Sequence, residues 1–166
     1  DFPPLQILLS ECEEGSMFRQ HEDLLKGQGE GLYSGIGAER ISKYLVKNNT
    51  LPSLVVVVDV TPLFGGEPGV ALYSNHWERH GHEPSPELVD KTENIVGIFQ
   101  DVHPEIMLSN NMNDYVTYGG EFIRQNEVVP CVAIEPSVEN YHSAEEMVFV
   151  EDVVKVAEIV TNVLEG

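Results

Sequence analysis

The stretch Leu54-Val55-Val56-Val57-Val58-Asp59-Val60-Thr61 decides how the chain is read. Four consecutive valines are not a one-sided pattern. They predict a strand covered on both faces, in the middle of a largely parallel sheet. Asp59 and Thr61 stand at its carboxyl end, followed by Pro62 and the turn pair Gly65-Gly66. Open α/β sheets hold their ligands at that edge, so the Asp59 carboxylate is a candidate ligand group. The structural alternative is an Asp that caps a turn.

Outward from this strand, apolar runs alternate with helical patterns. Pro4–Ser10 reads as a first buried strand. Gly37–Lys47 carries Ile41, Tyr44 and Leu45 at helical spacing, with Asn48-Asn49 suited to its end. Residues 62–85 read as a long loop. Ser85-Pro86-Glu87 marks a helix start: a capping hydroxyl, proline in the first turn, then an acid near the positive end of the dipole. That helix runs through Leu88, Ile95, Phe99 and Val102 to Pro104. Glu105–Ser109 reads as a short strand. A helix from Asp114 to about Gln125, capped by Asn113, follows. Tyr115, Tyr118 and Phe122 line it, and Gly119-Gly120 predicts a close backbone approach. Val128–Ile134 reads as a strand and Glu135–Glu146 as a polar loop. The last helix, Glu151–Leu164, places Val153, Val154, Ala157, Val160 and Leu164 on one face. The alternation predicts one α/β domain over 1–166, a three-layer α/β/α arrangement about a largely parallel central sheet. A short helix is expected around Glu22–Lys26.

The 166 residues can bury a real core. No apolar run approaches a bilayer span, and no secretory signal pattern opens the chain. The formal net charge of −19, with nine Lys plus Arg, argues against nucleic acid and anionic membrane as partners. Cys12 and Cys131 form no disulfide framework and fit buried thiols in a reducing, cytoplasmic compartment. Gly27-Gln28-Gly29-Glu30-Gly31 resembles a phosphate cradle in composition only. It has no strand before it and an acid inside it.

Ligand-type side chains cluster after strand-like runs: Glu13-Glu14, Asp59 and His142. Strand ends of a parallel sheet converge on one edge, so the three places are expected to meet. Carboxylates with imidazole form an oxygen/nitrogen set suited to Zn²⁺, Mn²⁺ or Co²⁺. In an adjacent Glu pair, one carboxylate can bind metal while the other faces its water as a general base. Alternatively, the pair is a solvated turn. His76 and His80 stand at i and i+4, the spacing of a zinc pair, in a cluster with His82. The alternative there is a surface group without metal.

Taken in order, Glu13-Glu14-Gly15, Val57-Val58-Asp59-Val60-Thr61, Val129-Pro130 and Asn140-Tyr141-His142-Ser143 with Glu145-Glu146 resemble the motifs of the co-catalytic zinc aminopeptidases of the glutamyl/tetrahedral family. Asn113-Asp114-Tyr115 to Gly119 occupies the place of that family's Gly-Thr-Asp-Ala helix start. The resemblance covers nearly the whole chain, and implies a zinc-exopeptidase-like fold and a metal-dependent aminopeptidase. It makes Glu13 the general base, Glu14 and His142 ligands of one zinc, and Asp59 a ligand of the other. Its cofactor is Zn²⁺ (or Co²⁺/Mn²⁺), two per complete site. Its partners are a peptide substrate and further copies of the chain in a homo-oligomer.

The family also has a His-x-Asp motif and a bridging Asp upstream of the Glu-Glu turn. No His precedes Glu13 here. The expectation is therefore the carboxyl-terminal part of a larger catalytic domain, with 16–35 and 74–84 as insertions. The competing expectation is a non-catalytic, degenerate domain for binding or assembly. A third is a Mg²⁺-dependent phosphoryl-transfer or receiver-type domain centred on Asp59, for which no strand-end Lys is evident.

Overall fold

The computed structural model describes residues 4–8, 36–110 and 114–165. The chain is mixed α/β with an open, mostly parallel four-stranded sheet. Its elements are α1 (Ile36–Lys47), β1 (Val55–Val58), β2 (Val70–Tyr73), α2 (Trp77–His80), α3 (Pro86–Val102), β3 (Met107–Ser109), α4 (Asp114–Arg124), β4 (Cys131–Pro136), β5 (Val138–Glu139), β6 (Met147–Val148) and α5 (Val150–Glu165). The sheet order is β1-β4-β2-β3, and β5 pairs with β6 separately. β1 runs parallel to β4 and β2 parallel to β3, while β2 and β4 are antiparallel.

That one antiparallel pairing governs where function can sit. The carboxyl ends of β1 and β4 lie at one edge of the sheet, and those of β2 and β3 at the opposite edge. The expectation that all strand ends converge holds only for β1 and β4.

Side chains alternate across the strands as the pleat requires. Val56, Val132, Ile134, Val70 and Leu72 pack with Phe99 and Ile106 and with Val156 and Ile159 of α5. Their neighbours Val55, Val57 and Cys131 pack with Ala38 and Leu45 of α1 and with Tyr118 and Phe122 of α4. Ala71, Tyr73 and Ala133 continue this second group with Tyr115 and Val116. β4 and β2, buried at every residue, are the two inner strands. The valine run is not one of them. Among the described residues β1 is an edge strand, and Val58 is 61% exposed.

The helix ends follow local chemistry. Ser85 Oγ accepts the Leu88 N–H at 3.2 Å, and Pro86 opens α3. At the end of α1, Asn49 adopts φ 53°. Its N–H bonds Val46 O while that of Thr50 bonds Leu45 O, each at 3.0 Å, closing a Schellman motif. Asn126, at φ 61°, closes α4 in the same way.

Several sequence expectations need correction. Residues 4–8 form no strand, and Leu5 and Ile7 are 64% and 79% exposed. The loop expected over 62–85 contains β2, four fully buried residues, and α2. The polar loop expected from Glu135 begins later, because Glu135 and Pro136 complete β4. On α5 the buried residues are Asp152, Val156 and Ile159, whereas Val153 and Val154 are 43% and 51% exposed. The face turns because Asp152 is drawn inward: its carboxylate accepts the Gly69 N–H at 2.7 Å, ahead of β2. The expected helix around Glu22–Lys26, the segment 16–35, Cys12 and the Asn113 cap lie outside the described residues.

Candidate functional site: two edges of one sheet

The first edge lies beyond the carboxyl ends of β1 and β4. Val57 pairs with Ala133 and Val58 with Ile134, so Asp59 falls opposite Glu135 as the ladder ends. Both belong to the odd-numbered face that α1 and α4 cover. Glu135 is 2% exposed and Asp59 half-buried, with its Oδ1 accepting the Val60 N–H at 2.8 Å. The strands remain joined further on, through the Thr61–Ser137 bridge. Thr61 Oγ1 accepts the Leu63 N–H at 3.1 Å and lies 2.6 Å from the Tyr73 hydroxyl.

Tyr73 therefore reaches from β2 to the turn that follows Asp59. Its pKa is pushed up to about 12, chiefly by burial. The Thr61 hydrogen bond opposes that rise, and the Glu135 and Asp59 carboxylates add to it. The phenol is a neutral hydroxyl at any physiological pH, a fixed polar post beside two acids. Ser137 Oγ, also fully buried, has no hydrogen-bond partner.

His142 leaves this same edge on the turn between β5 and β6. It is exposed, with φ 60°, its ring stacked on Tyr141 at 3.9 Å between centroids. Its N–H donates to Glu146 Oε2 at 2.6 Å, which fixes the turn. Of the residues expected to share a metal site, Asp59 follows β1 and His142 lies on the turn between β5 and β6, while Glu13 and Glu14 lie outside the described residues. Among the described residues, no three His, Cys, Asp or Glu side chains form a group able to hold a metal ion.

The second edge lies beyond β2 and β3 and carries nitrogen. His76 Nδ1 and His80 Nε2 are 2.8 Å apart, and His80 Nδ1 accepts the His82 N–H at 3.1 Å. His76 is fully buried, edge-on to both Trp77 and Tyr115. Burial first, then His80, pushes its pKa down to about 3. His80 is pushed down to about 4 by burial, then by His82 and Arg124. Both rings are neutral at pH 7. The glycine pair of α4 makes this packing possible: a Cβ on Gly119 lies 2.2 Å from His76 Nδ1, and one on Gly120 lies 3.1 Å from the His80 ring. Around them, Asn110 donates through Nδ2 to Glu78 at 2.7 Å and accepts the Tyr115 hydroxyl through Oδ1 at 2.6 Å. Arg79 donates to the Asn110 carbonyl.

Glu135 and Tyr73 escaped the sequence reading. The signal for Glu135 was its register: two residues past Ala133, it keeps the odd face of β4. Cys131 is a buried free thiol whose pKa burial raises, as its place inside a strand suggested. An open hollow of about 490 Å³, lined by Leu51, Ser53, Lys91, Asn94, Glu127 and Pro130, sits at the amino ends of β1 and β4, away from both groups. No described helix is long and apolar enough to cross a membrane. No family model, curated protein or solved structure matches the chain.

Proposed function

We propose that the chain is part of a metal-dependent aminopeptidase with the three-layer α/β/α fold of the zinc exopeptidases. The observation that carries this reading is the register of β1 on β4, which sets Asp59 opposite Glu135 just past the Val58–Ile134 pair, at the edge from which the chain runs on to the His142 turn. Helices packed against both sets of strand residues support the layer arrangement.

Carboxylate and imidazole donors at one edge fit Zn²⁺, and equally Co²⁺ or Mn²⁺. In the proposed site Asp59 holds one metal, and Glu14 and His142 hold the other. When bound, such metals lower the pKa of water and polarise a carbonyl. Glu13 acts as general base, taking the proton from the attacking water and delivering it to the leaving amine. Tyr73 and Thr61 hold the turn that carries Asp59, so the carboxylate need not be ordered when substrate arrives. Glu135 adds a second carboxyl group beside Asp59 at this edge. A peptide substrate, a homo-oligomeric state and a cytoplasmic location belong to the same proposal.

Metal analysis of the full chain tests it. After exposure to micromolar zinc the purified protein retains the metal, and Asp59→Asn, His142→Ala and Glu14→Ala each lose part of it. Hydrolysis of aminoacyl anilides, assayed alongside, falls with the metal. Protein that retains no divalent metal under those conditions overturns the reading.

A further inference from the structure

The aminopeptidase reading makes no use of the outer face of α5. Val150, Val154, Ala157, Thr161 and Leu164 recur along this helix at alternating steps of four and three. That is the spacing of a seam that packs against a second helix. The face set on the sheet is the opposite one, where Asp152, Val156 and Ile159 are buried. Val150 is 73% exposed, Val154, Ala157 and Thr161 are exposed too, and Leu164, near the end, is half-buried. α5 thus has two stripes suited to packing, and the sheet uses one.

The outer stripe holds no charged residue, in a chain whose net charge is −19. Ala157 and Thr161 are small beside the valines, and with Val154, Glu158 and Asn162 they line an open hollow of about 510 Å³. Met147 and Val148, on the strand that leads into α5, are exposed as well. Single exposed valines need no explanation, but a continuous row of them marks a contact surface. One flank of the row is Val153. The other carries Glu151, Glu158 and Glu165, one acid at every second turn, all exposed. Those carboxylates favour cations on whatever lies along the row. A second copy of α5 does not bring them, since its one cation, Lys155, lies 3.7 Å from its own Asp152. The exposed face of α1 has cations, Arg40, Lys43 and Lys47, but only Tyr44 as an apolar group, too little to fill the seam.

We propose that the outer face of α5 is the docking site for an amphipathic helix of a partner protein. The partner helix lays an apolar seam along Val150 to Leu164 and carries Lys or Arg on the flank that meets Glu151, Glu158 and Glu165. Apolar area removed from water supplies most of the affinity. The ion pairs stay at the rim, where they speed encounter and select the partner. Because the acids stand on one flank only, a helix with its cations on one flank fits in a single direction.

The test measures binding of the full chain to two synthetic helical peptides of about three heptads. Both carry Leu along the seam; the first has Lys along one flank and the second has Glu there. The expected result is a one-to-one complex with the lysine peptide, about tenfold or more tighter than with the glutamate peptide, a difference that narrows as salt is raised. Ala157→Lys, on the exposed seam, weakens the lysine peptide by about tenfold or more. Glu158→Lys weakens it by about threefold or more, while Glu83→Lys, at an exposed acid off α5, leaves it within about twofold. Far-ultraviolet circular dichroism of the three variants stays that of the wild type. Equal binding of the two peptides by the wild-type chain overturns the proposal, as does binding of neither, and these measurements need no variant to fold. Equal losses in Glu158→Lys and Glu83→Lys overturn it too, because they reduce the attraction to overall charge. So does a wild-type dimer in sedimentation that Ala157→Lys dissociates, which makes a second copy the occupant.

Discussion

At the carboxyl ends of β1 and β4 the chain gathers oxygen: the carboxylates of Asp59 and Glu135 and the hydroxyls of Thr61 and Tyr73. At the carboxyl ends of β2 and β3 it gathers nitrogen: His76 and His80, with His82 beside them. The two groups belong to one sheet and are separated because β2 runs against β4. A single reversed pairing sends the two groups to opposite edges of the sheet. Each edge protects its chemistry differently. The oxygen edge keeps its acids beside a neutral phenol whose pKa is about 12, whereas the nitrogen edge keeps its bases neutral by burying them.

The largest effect that tests this contrast is steric. Gly119→Val places a branched side chain where the His76 ring lies, with its Cβ only 2.2 Å from Nδ1. It is expected to cost about 3 kcal/mol in urea denaturation, at the upper end of ordinary overpacking. A loss below about 0.5 kcal/mol contradicts the packing of α2 on α4.

Acidification comes next. His76 has a folded-state pKa near 3 against 6.5 for the ordinary group. Between those values the unfolded chain binds a proton that the folded chain refuses, so stability is lost as pH falls from 6.5 toward 3. From pH 7 to pH 5 this one ring removes about 2 kcal/mol. Denaturation at the two pH values should show a smaller difference in His76→Gln than in the wild type. His80 adds in the same direction, over the window from 6.5 down to about 4.

At the oxygen edge, Tyr73→Phe removes the hydroxyl bonded to Thr61. It is expected to cost about 1 kcal/mol of stability and to weaken zinc retention at Asp59 beyond that loss. Retention unchanged from the wild type limits Tyr73 to a packing role. The smallest effect is a control on α3. A Cβ on Gly97 meets nothing within 4 Å, so Gly97→Ala should stabilise the protein by about 0.5–1 kcal/mol, the reverse of the change at Gly119.

What the sequence disclosed depended on how local the determinant was. The Ser85-Pro86 helix start, the Asn48-Asn49 end of α1 and the close approach at Gly119-Gly120 are written within a few residues, and each is found in the structure. The rank of β1 is not local. Four valines specify a covered strand, but partners distant in sequence set β4 and β2 inside and left Val58 exposed. Val70–Tyr73 is only four residues long, too short for periodicity to separate it from a loop. Valines on several sides of α5 left its buried face undecided, and the hydrogen bond from Gly69 to Asp152 decided it. Glu135 was mistaken for the start of a loop because charge is a sound guide to exposure, yet here the acid keeps its place in the buried strand β4. The placing of Asp59 opposite Glu135 needs the register of β1 on β4, which no single segment carries.

The most direct measurement is an anomalous difference map from zinc-soaked crystals of the full chain. The account predicts zinc within about 2.0–2.2 Å of an Asp59 oxygen, at the edge from which the His142 turn leaves. A map with no zinc at Asp59, or with zinc only on scattered surface carboxylates, contradicts it.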